Sequence, residues 1–471
     1  MEQATGPGYH FAMLLRRHGD FIGGVDLPDE KRETLAEPVR SCTLPESLRI
    51  PLTLTSAAPA EVVVTTGQSV EAGAVLARGG DDNVDVFAPV AGVVSSADAS
   101  ADVAGAWGLI TVPAIELSDL QPPSPPPRSA DDDALSGEPA DLRRQIAAGQ
   151  LTCFRRPMQP VAQWLLHAQE GGRALLIANV MENQPYVTAD HRILTENGQD
   201  VLRGLALLAR AIEADKVVLA VDQRRTDDYR HVVPLARRYN VQLVALPHKY
   251  PIGVEEVLLK VLTGIEAPVG RGPTAVGASM IDAATCLAVC RWIHGGYRAG
   301  QRVVTVAGEQ IVKPANYLVP FGTPCEHLAG LTARSLIHNG PMVALPCTPN
   351  TVVTPATDAV LALAVAEPAR PTPCIRCGWC SDHCPARLNV AELNDAFELV
   401  DLPAAHRADA LACMGCGICS YVCPARLPLT ERAQALRRAL TELAPDDPPH
   451  DHANMSPPSR GVFGRLFRRH A

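Results

Sequence analysis

Two cysteine runs of identical spacing constrain this chain more than any other feature. The first is Cys374, Cys377, Cys380 and Cys384, followed by Pro385; the second is Cys413, Cys416, Cys419 and Cys423, followed by Pro424. Each reads C-x2-C-x2-C-x3-C-P, the spacing of two-cluster bacterial ferredoxins. A cubane [4Fe–4S] cluster has four irons, each needing one outside thiolate. Three cysteines two residues apart wrap one face of the cube along a single loop, and the fourth, beyond a tight turn, serves the neighbouring cluster. The pattern therefore assigns Cys374, Cys377, Cys380 and Cys423 to one cluster. Cys413, Cys416, Cys419 and Cys384 take the other. Gly378, Gly415 and Gly417 let the backbone approach and donate N–H groups to sulfide. Zinc ribbons also use C-x2-C pairs, but zinc takes four ligands per site and has no use for a third evenly spaced Cys before C-P.

The stretch between the runs, NVAELNDAFELVDLPAAHRADALA, is helical in pattern, and so is TERAQALRRALTEL after the second. Together they predict an α-helical ferredoxin module in which two close clusters make a wire. Arg376, Trp379, His383 and Arg426 flank the ligands; positive charge there favours a reduced cluster, though each alone reads as a solvated surface group. The other six cysteines (Cys42, Cys153, Cys286, Cys290, Cys325, Cys347) are scattered and read as small buried hydrophobes.

Composition excludes several classes. The formal net charge is −9, whereas phosphate binding needs clustered Lys and Arg, so no nucleic-acid partner is expected. No segment has the build of an export signal, so the cysteines point to metal rather than disulfides. No run of eighteen apolar residues occurs, which predicts a soluble or peripheral protein.

The fold class expected is multidomain α/β. Residues 1–117 form a β-rich barrel-sandwich domain: GQSVEAGAVLA and FAPVAGVV have the look of a lipoyl domain, but the hairpin tip GGDDNVD carries no Lys to modify. Residues 118–140 are a Pro-rich linker. Residues 141–297 alternate strand and helix, with strands at 174–180, 216–221 and 241–246, which predicts a parallel sheet. Residues 298–365 look like a β-grasp domain, residues 366–442 are the two-cluster module, and 443–471 are a disordered, basic-ended tail. In that tail Val462, Phe463, Leu466 and Phe467 share one helical face opposite four arginines, which suits an anionic membrane surface; a frayed tail is the alternative.

With these motifs in view, the chain resembles the C subunits of Rnf-type ion-translocating electron transport complexes. FIGGVDLPDEK, NVMENQPYVTADHRIL, HKYPIGVEE and RVVTVAGEQIVKPANYLVPFGTP carry the likeness, beside PCIRCGWCSDHCP and CMGCGICSYVCPARLPL. The family is related to the flavin subunit of respiratory complex I. The resemblance implies an α/β domain that takes a hydride from NADH on FMN, two clusters that pass electrons on, other subunits as partners, and a peripheral place on the cytoplasmic face of the inner membrane. It points to a flavin site over Glu182, Gln184, Tyr186, Gly253 and Thr285.

The chain departs from the family there. The Gly-rich G-x-G-G-A-G-F-P-T loop is replaced by CFRRPMQPVAQWLLHAQEGG, which removes a phosphate cradle. The acidic pair becomes Glu182 and Gln184, G-G-E-K becomes Gly253 to Glu256, and N-V-G-T becomes Asp282 to Thr285. The expectation is therefore weak or absent FMN and NADH binding, with electrons entering from a ferredoxin or flavodoxin. A full NADH-oxidising subunit and an assembly or adaptor protein are the competing readings. No Ser–His–Asp or hydrolase constellation stands out.

Overall fold

The computed structural model describes residues 16–17, 20–54, 58–80, 83–105, 108–123, 135, 137–155, 158–330, 336–364 and 370–443. The basic C-terminal segment and most of the Pro-rich linker lie outside them.

A five-stranded parallel sheet forms the centre. Its order is Arg16–Arg17, Gln242–Leu246, Val217–Asp222, Leu175–Val180, Ala278–Asp282. Leu175–Val180 is buried along its whole length, as a central strand covered on both faces must be. Its alternate side chains feed two cores. Leu176, Ala178 and Val180 pack with the helices Ala189–Ile212 and Ala283–Gly295, while Leu175 and Ile177 pack with Glu255–Thr263. Two of these strands carry little sequence signal. ASMID at 278–282 is short and has one β-branched residue, and Arg16–Arg17 is a two-residue contribution from the far N-terminal side.

Two antiparallel sheets make up the barrel-sandwich. One is ordered Leu48–Pro51, Gly108–Ser118, Gly92–Gly105, Ser69–Val70, the other Glu61–Val62, Val75–Arg78, Val86–Phe87. They close over Leu48, Leu76, Val90, Ile115 and Leu117, all fully buried. At the tip that carries a Lys in lipoyl domains, the Asp85 carboxylate accepts from Arg78 (2.6 Å), and its N–H donates to Gln150 of the α/β domain (3.3 Å).

The third sheet is mixed and six-stranded: Leu345–Pro346, Leu336–His338, Ala359–Ala362, Gln301–Ala307, Ala315–Pro320, Arg40–Ser41. Gln301–Ala307 and Ala315–Pro320 pair antiparallel, and Arg40–Ser41 joins their edge. The segment before Leu48 thus departs from the expected 1–117 boundary. It pairs with two sheets outside the barrel-sandwich. Helices Val390–Glu398, Leu402–Arg407 and Leu429–Leu443 enclose the cysteine loops.

Helix Ala189–Ile212 crosses Ala283–Gly295 at Gly204, where an added Cβ would run into the Cys286 carbonyl. Gly204→Ala gains about 1 kcal/mol of helix propensity but overpacks this crossing, at about 1–3 kcal/mol. Urea unfolding is expected to show a lower midpoint for the variant; a higher one would mean that the crossing is looser than described.

Candidate functional site

Each cysteine run is a loop that ends in one helical turn, Trp379–Asp382 after the first and Ile418–Tyr421 after the second. Gly378 (φ 82°) and Gly417 (φ 83°) start these turns in the left-handed region, where a side chain is strained. The loops surround two separate cavities. Cys374, Cys377, Cys380 and Cys423 line one. Cys384, Cys413, Cys416 and Cys419 line the other. The fourth cysteine of each run thus stands with the first three of its neighbour.

Backbone N–H groups are aimed at the sulfurs: Gly415 at Cys413, Ile418 at Cys416, Ser420 at Cys419 and Ser381 at Cys380. Burial outweighs them and pushes the thiols of Cys416 and Cys419 up to about 12. Four ionised sulfurs at that depth therefore need bound cations to offset them. Among the described residues, no three Cys, His, Asp or Glu side chains converge on the point where a single ion would sit. Quartets spread around a cavity suit a cubane, whose own irons and sulfides fill the middle, better than one zinc ion. The residues present fit two cubane clusters.

The second loop is fastened to the rest of the protein. The Tyr250 hydroxyl donates to the Cys416 carbonyl (2.7 Å) and receives an N–H from Gln184 (3.1 Å). The Gln184 carbonyl oxygen accepts from the Met342 N–H (3.1 Å). The strand-like segment Gly24–Val25 runs alongside: Gly24 N–H donates to the His383 carbonyl (2.8 Å), and Val25 exchanges two backbone bonds with Tyr250 (2.9 and 3.0 Å). Gly23 lies so close to the Cys384 carbonyl that a Cβ would sit 2.8 Å from it.

The five residues of the expected flavin site each have a partner within the chain. Gln184 belongs to the bracing just described. The Glu182 carboxylate accepts from the N–H groups of Asp190 (2.7 Å) and His191 (2.8 Å), its backbone carbonyl accepts from buried Lys31, and the Tyr186 hydroxyl donates to Glu309 (2.7 Å). The Gly253 carbonyl accepts from Asn179 (2.9 Å). The Thr285 hydroxyl donates to Asp282 (2.6 Å) and accepts from the Phe154 N–H (2.8 Å).

A cavity of about 720 Å³ lies at the carboxyl edge of the parallel sheet, between it and the second cysteine loop. None of those five residues lines it; Asn179, Glu255, Glu256 and Asp282 do. Helix N-termini are the natural seats for a flavin phosphate, and three of them here carry a carboxylate of the chain itself. Glu182 takes two N–H groups of Ala189–Ile212, Asp282 accepts from Thr285 N–H (2.7 Å) in Ala283–Gly295, and Glu255 and Glu256 occupy the first turn of Glu255–Thr263. Several basic side chains at the wall are engaged, Arg155 with Asp190 (2.8 Å), Lys260 (2.8 Å) and Arg387 (3.3 Å) with Glu266, and Arg437 with the Cys413 carbonyl (2.6 Å), and Arg271 also lines the cavity. The carboxylates at these three helix ends do not suit an FMN phosphate there. The bracing by Tyr250, Met342 and Gly24 was not foreseen from the sequence, since hydrogen bonds between distant loops leave no local pattern.

A family model described as the Nuo51 FMN-binding domain matches residues 159–291, and one described as the RnfC barrel sandwich hybrid domain matches residues 19–112. The C subunit of the ion-translocating oxidoreductase complex of Rhodobacter capsulatus is 30% identical over 398 residues, covering 81% of this chain and 76% of the relative. Its counterpart in Edwardsiella ictaluri (strain 93-146) is 30% identical over 398 residues, covering 80% of this chain and 48% of the relative. The chain thus spans about half the length of that second relative. An NAD+-reducing nickel–iron hydrogenase in its H2-reduced state aligns with a TM-score of 0.46 at 17% identity, over 68% of this chain and 65% of its own.

Burial, and then the neighbouring Glu256, push the Glu255 carboxyl from its ordinary 4.5 up to about 7. Between those values the folded state holds more protons than the unfolded one, so this group's contribution is present at low pH and is lost as pH rises through the window. Glu255→Gln is expected to stabilise the protein at about pH 8 by on the order of 2 kcal/mol. The gain fades below pH 4.5. Thermal melts across pH check it; a gain that does not depend on pH contradicts the assignment.

Proposed function

The chain belongs to the RnfC family, the C subunits of ion-translocating oxidoreductase complexes, and from that premise we propose that it relays electrons through two [4Fe–4S] clusters, from a soluble donor to other subunits of the complex. One observation carries the reading: the two thiol quartets, each completed by a cysteine of the other loop, around neighbouring cavities. A bound cubane supplies reversible one-electron chemistry. The chain's own part is to hold each cube by four sulfurs, aim N–H groups at them, and keep water from the second site by burial. Among the described residues no helix is long and apolar enough to cross a membrane; peripheral attachment at the cytoplasmic face accords with that.

For the entry of electrons we favour a one-electron protein donor over NADH. The support is the carboxylates at helix N-termini, with Asp282, Glu255 and Glu256 on the 720 Å³ cavity and Glu182 outside its lining. The match of residues 159–291 to an FMN-binding family model favours the second reading, a flavin-loaded subunit that oxidises NADH.

Metal and cofactor content of one anaerobically purified sample tests both points. The expected result is about eight iron and eight sulfide per chain, with flavin well below one. Zinc in place of iron would overturn the relay; stoichiometric flavin with NADH bleaching the cluster absorbance would overturn the choice of donor. The crosswise assignment has its own test. Cys384→Ala is expected to remove the cluster held by Cys413, Cys416 and Cys419, and Cys423→Ala the one held by Cys374, Cys377 and Cys380. EPR of the reduced variants reads which signal goes, and loss in the reverse order would contradict the assignment.

A further inference from the structure

The two cysteine loops are a local repeat, CIRCGWCSDHCP at 374–385 and CMGCGICSYVCP at 413–424. Every position around one loop therefore has a counterpart around the other. At the second loop three of the positions are covered, while Tyr421 is 55% exposed. Met414 packs against the core beneath Glu255–Thr263. Ile418 is 1% exposed, against Leu27 and Tyr250. Gly417 lies under the Met342 carbonyl, with no room for a Cβ.

The same positions at the first loop are bare. Ile375, the counterpart of Met414, is 65% exposed, and Trp379, the counterpart of Ile418, is 53% exposed. Cys374 and Cys377 are exposed as well, whereas Cys413 is buried. Large apolar side chains grouped beside a reactive site mark an interaction surface. The rim carries three exposed arginines, Arg370, Arg376 and Arg426, against exposed Asp382 and half-buried Asp395. Arg376 is tied to Asp395 at 2.9 Å, which holds its guanidinium near the loop. An aromatic centre with arginines around it is the composition of protein interfaces.

We infer that this face, Ile375 and Trp379 within the arginine rim, docks an acidic one-electron carrier protein, and that the first cluster is the port through which its electron enters. The inference rests on the relay reading. One electron leaves the carrier's iron and enters the cluster; no bond or proton changes hands.

The test uses the full chain with both clusters loaded, mixed anaerobically with a reduced plant-type [2Fe–2S] ferredoxin, an acidic carrier. Stopped-flow absorbance follows cluster bleaching, in parallel with dithionite, which needs no docking face. Arg376→Glu and Arg426→Glu are each expected to slow reduction by ferredoxin about tenfold at low salt. Trp379→Ala is expected to lower the maximal rate, and Lys313→Glu, between Gln301–Ala307 and Ala315–Pro320, to leave the rate unchanged. All variants should keep wild-type iron content and bleaching by dithionite. The docking inference is overturned, with the relay intact, if the three loop variants match the wild type. It is also overturned if ferredoxin fails to reduce a wild type that dithionite bleaches. Clusters that dithionite cannot reduce would instead bring down the relay reading.

Discussion

Neither cysteine loop completes a quartet by itself. Cys423 stands with Cys374, Cys377 and Cys380, and Cys384 with Cys413, Cys416 and Cys419, so the two loops must sit side by side in one relative orientation. The rest of the module serves that constraint. Leu388, Val390, Leu393, Leu427, Leu429 and Leu436 form its core, with alanines and the cysteines filling the remainder. A core this small stabilises little without cross-links. On the reading favoured above, eight iron–sulfur bonds supply them, and folding and cluster loading are coupled.

The second constraint is the attachment of that module to the parallel sheet. A chain of hydrogen bonds runs from Met342 through Gln184 and Tyr250 to the Cys416 carbonyl. The segment from Gly23 to Val25 is threaded between the α/β domain and the first loop, with Lys249 donating to the Phe21 carbonyl at 2.8 Å. Positions that the family resemblance places in a flavin site have bonds within the chain here. Glu182 caps a helix, Gln184 braces a loop, and Thr285 ties Asp282 to Phe154. What separates this arrangement from a phosphate-binding one is charge. At two helix ends the N–H groups that would attract an anion already meet the carboxylates of Glu182 and Asp282.

Much of the fold was legible from local pattern. Apolar runs such as LLIANV and VVLAVD with amphipathic stretches after them gave the parallel sheet, and the cysteine spacing gave the two quartets. Three features were not. The strand Ala278–Asp282 is short and weakly β-forming. The excursions of Arg16–Arg17 and Arg40–Ser41 to distant sheets are non-local pairings of two residues each. The contrast between Trp379 and Ile418 needs the whole molecule, since the two loops are alike in sequence and differ only in what covers them.

Magnetic interaction between the clusters tests the central claim most directly. Two cubes held by crosswise quartets in adjoining loops must lie close enough for their spins to couple. On stepwise anaerobic reduction, EPR should first show one S = 1/2 signal and then, at full reduction, a broadened, split spectrum of two interacting centres. A fully reduced sample that shows one isolated signal, two independent ones or none would contradict the account.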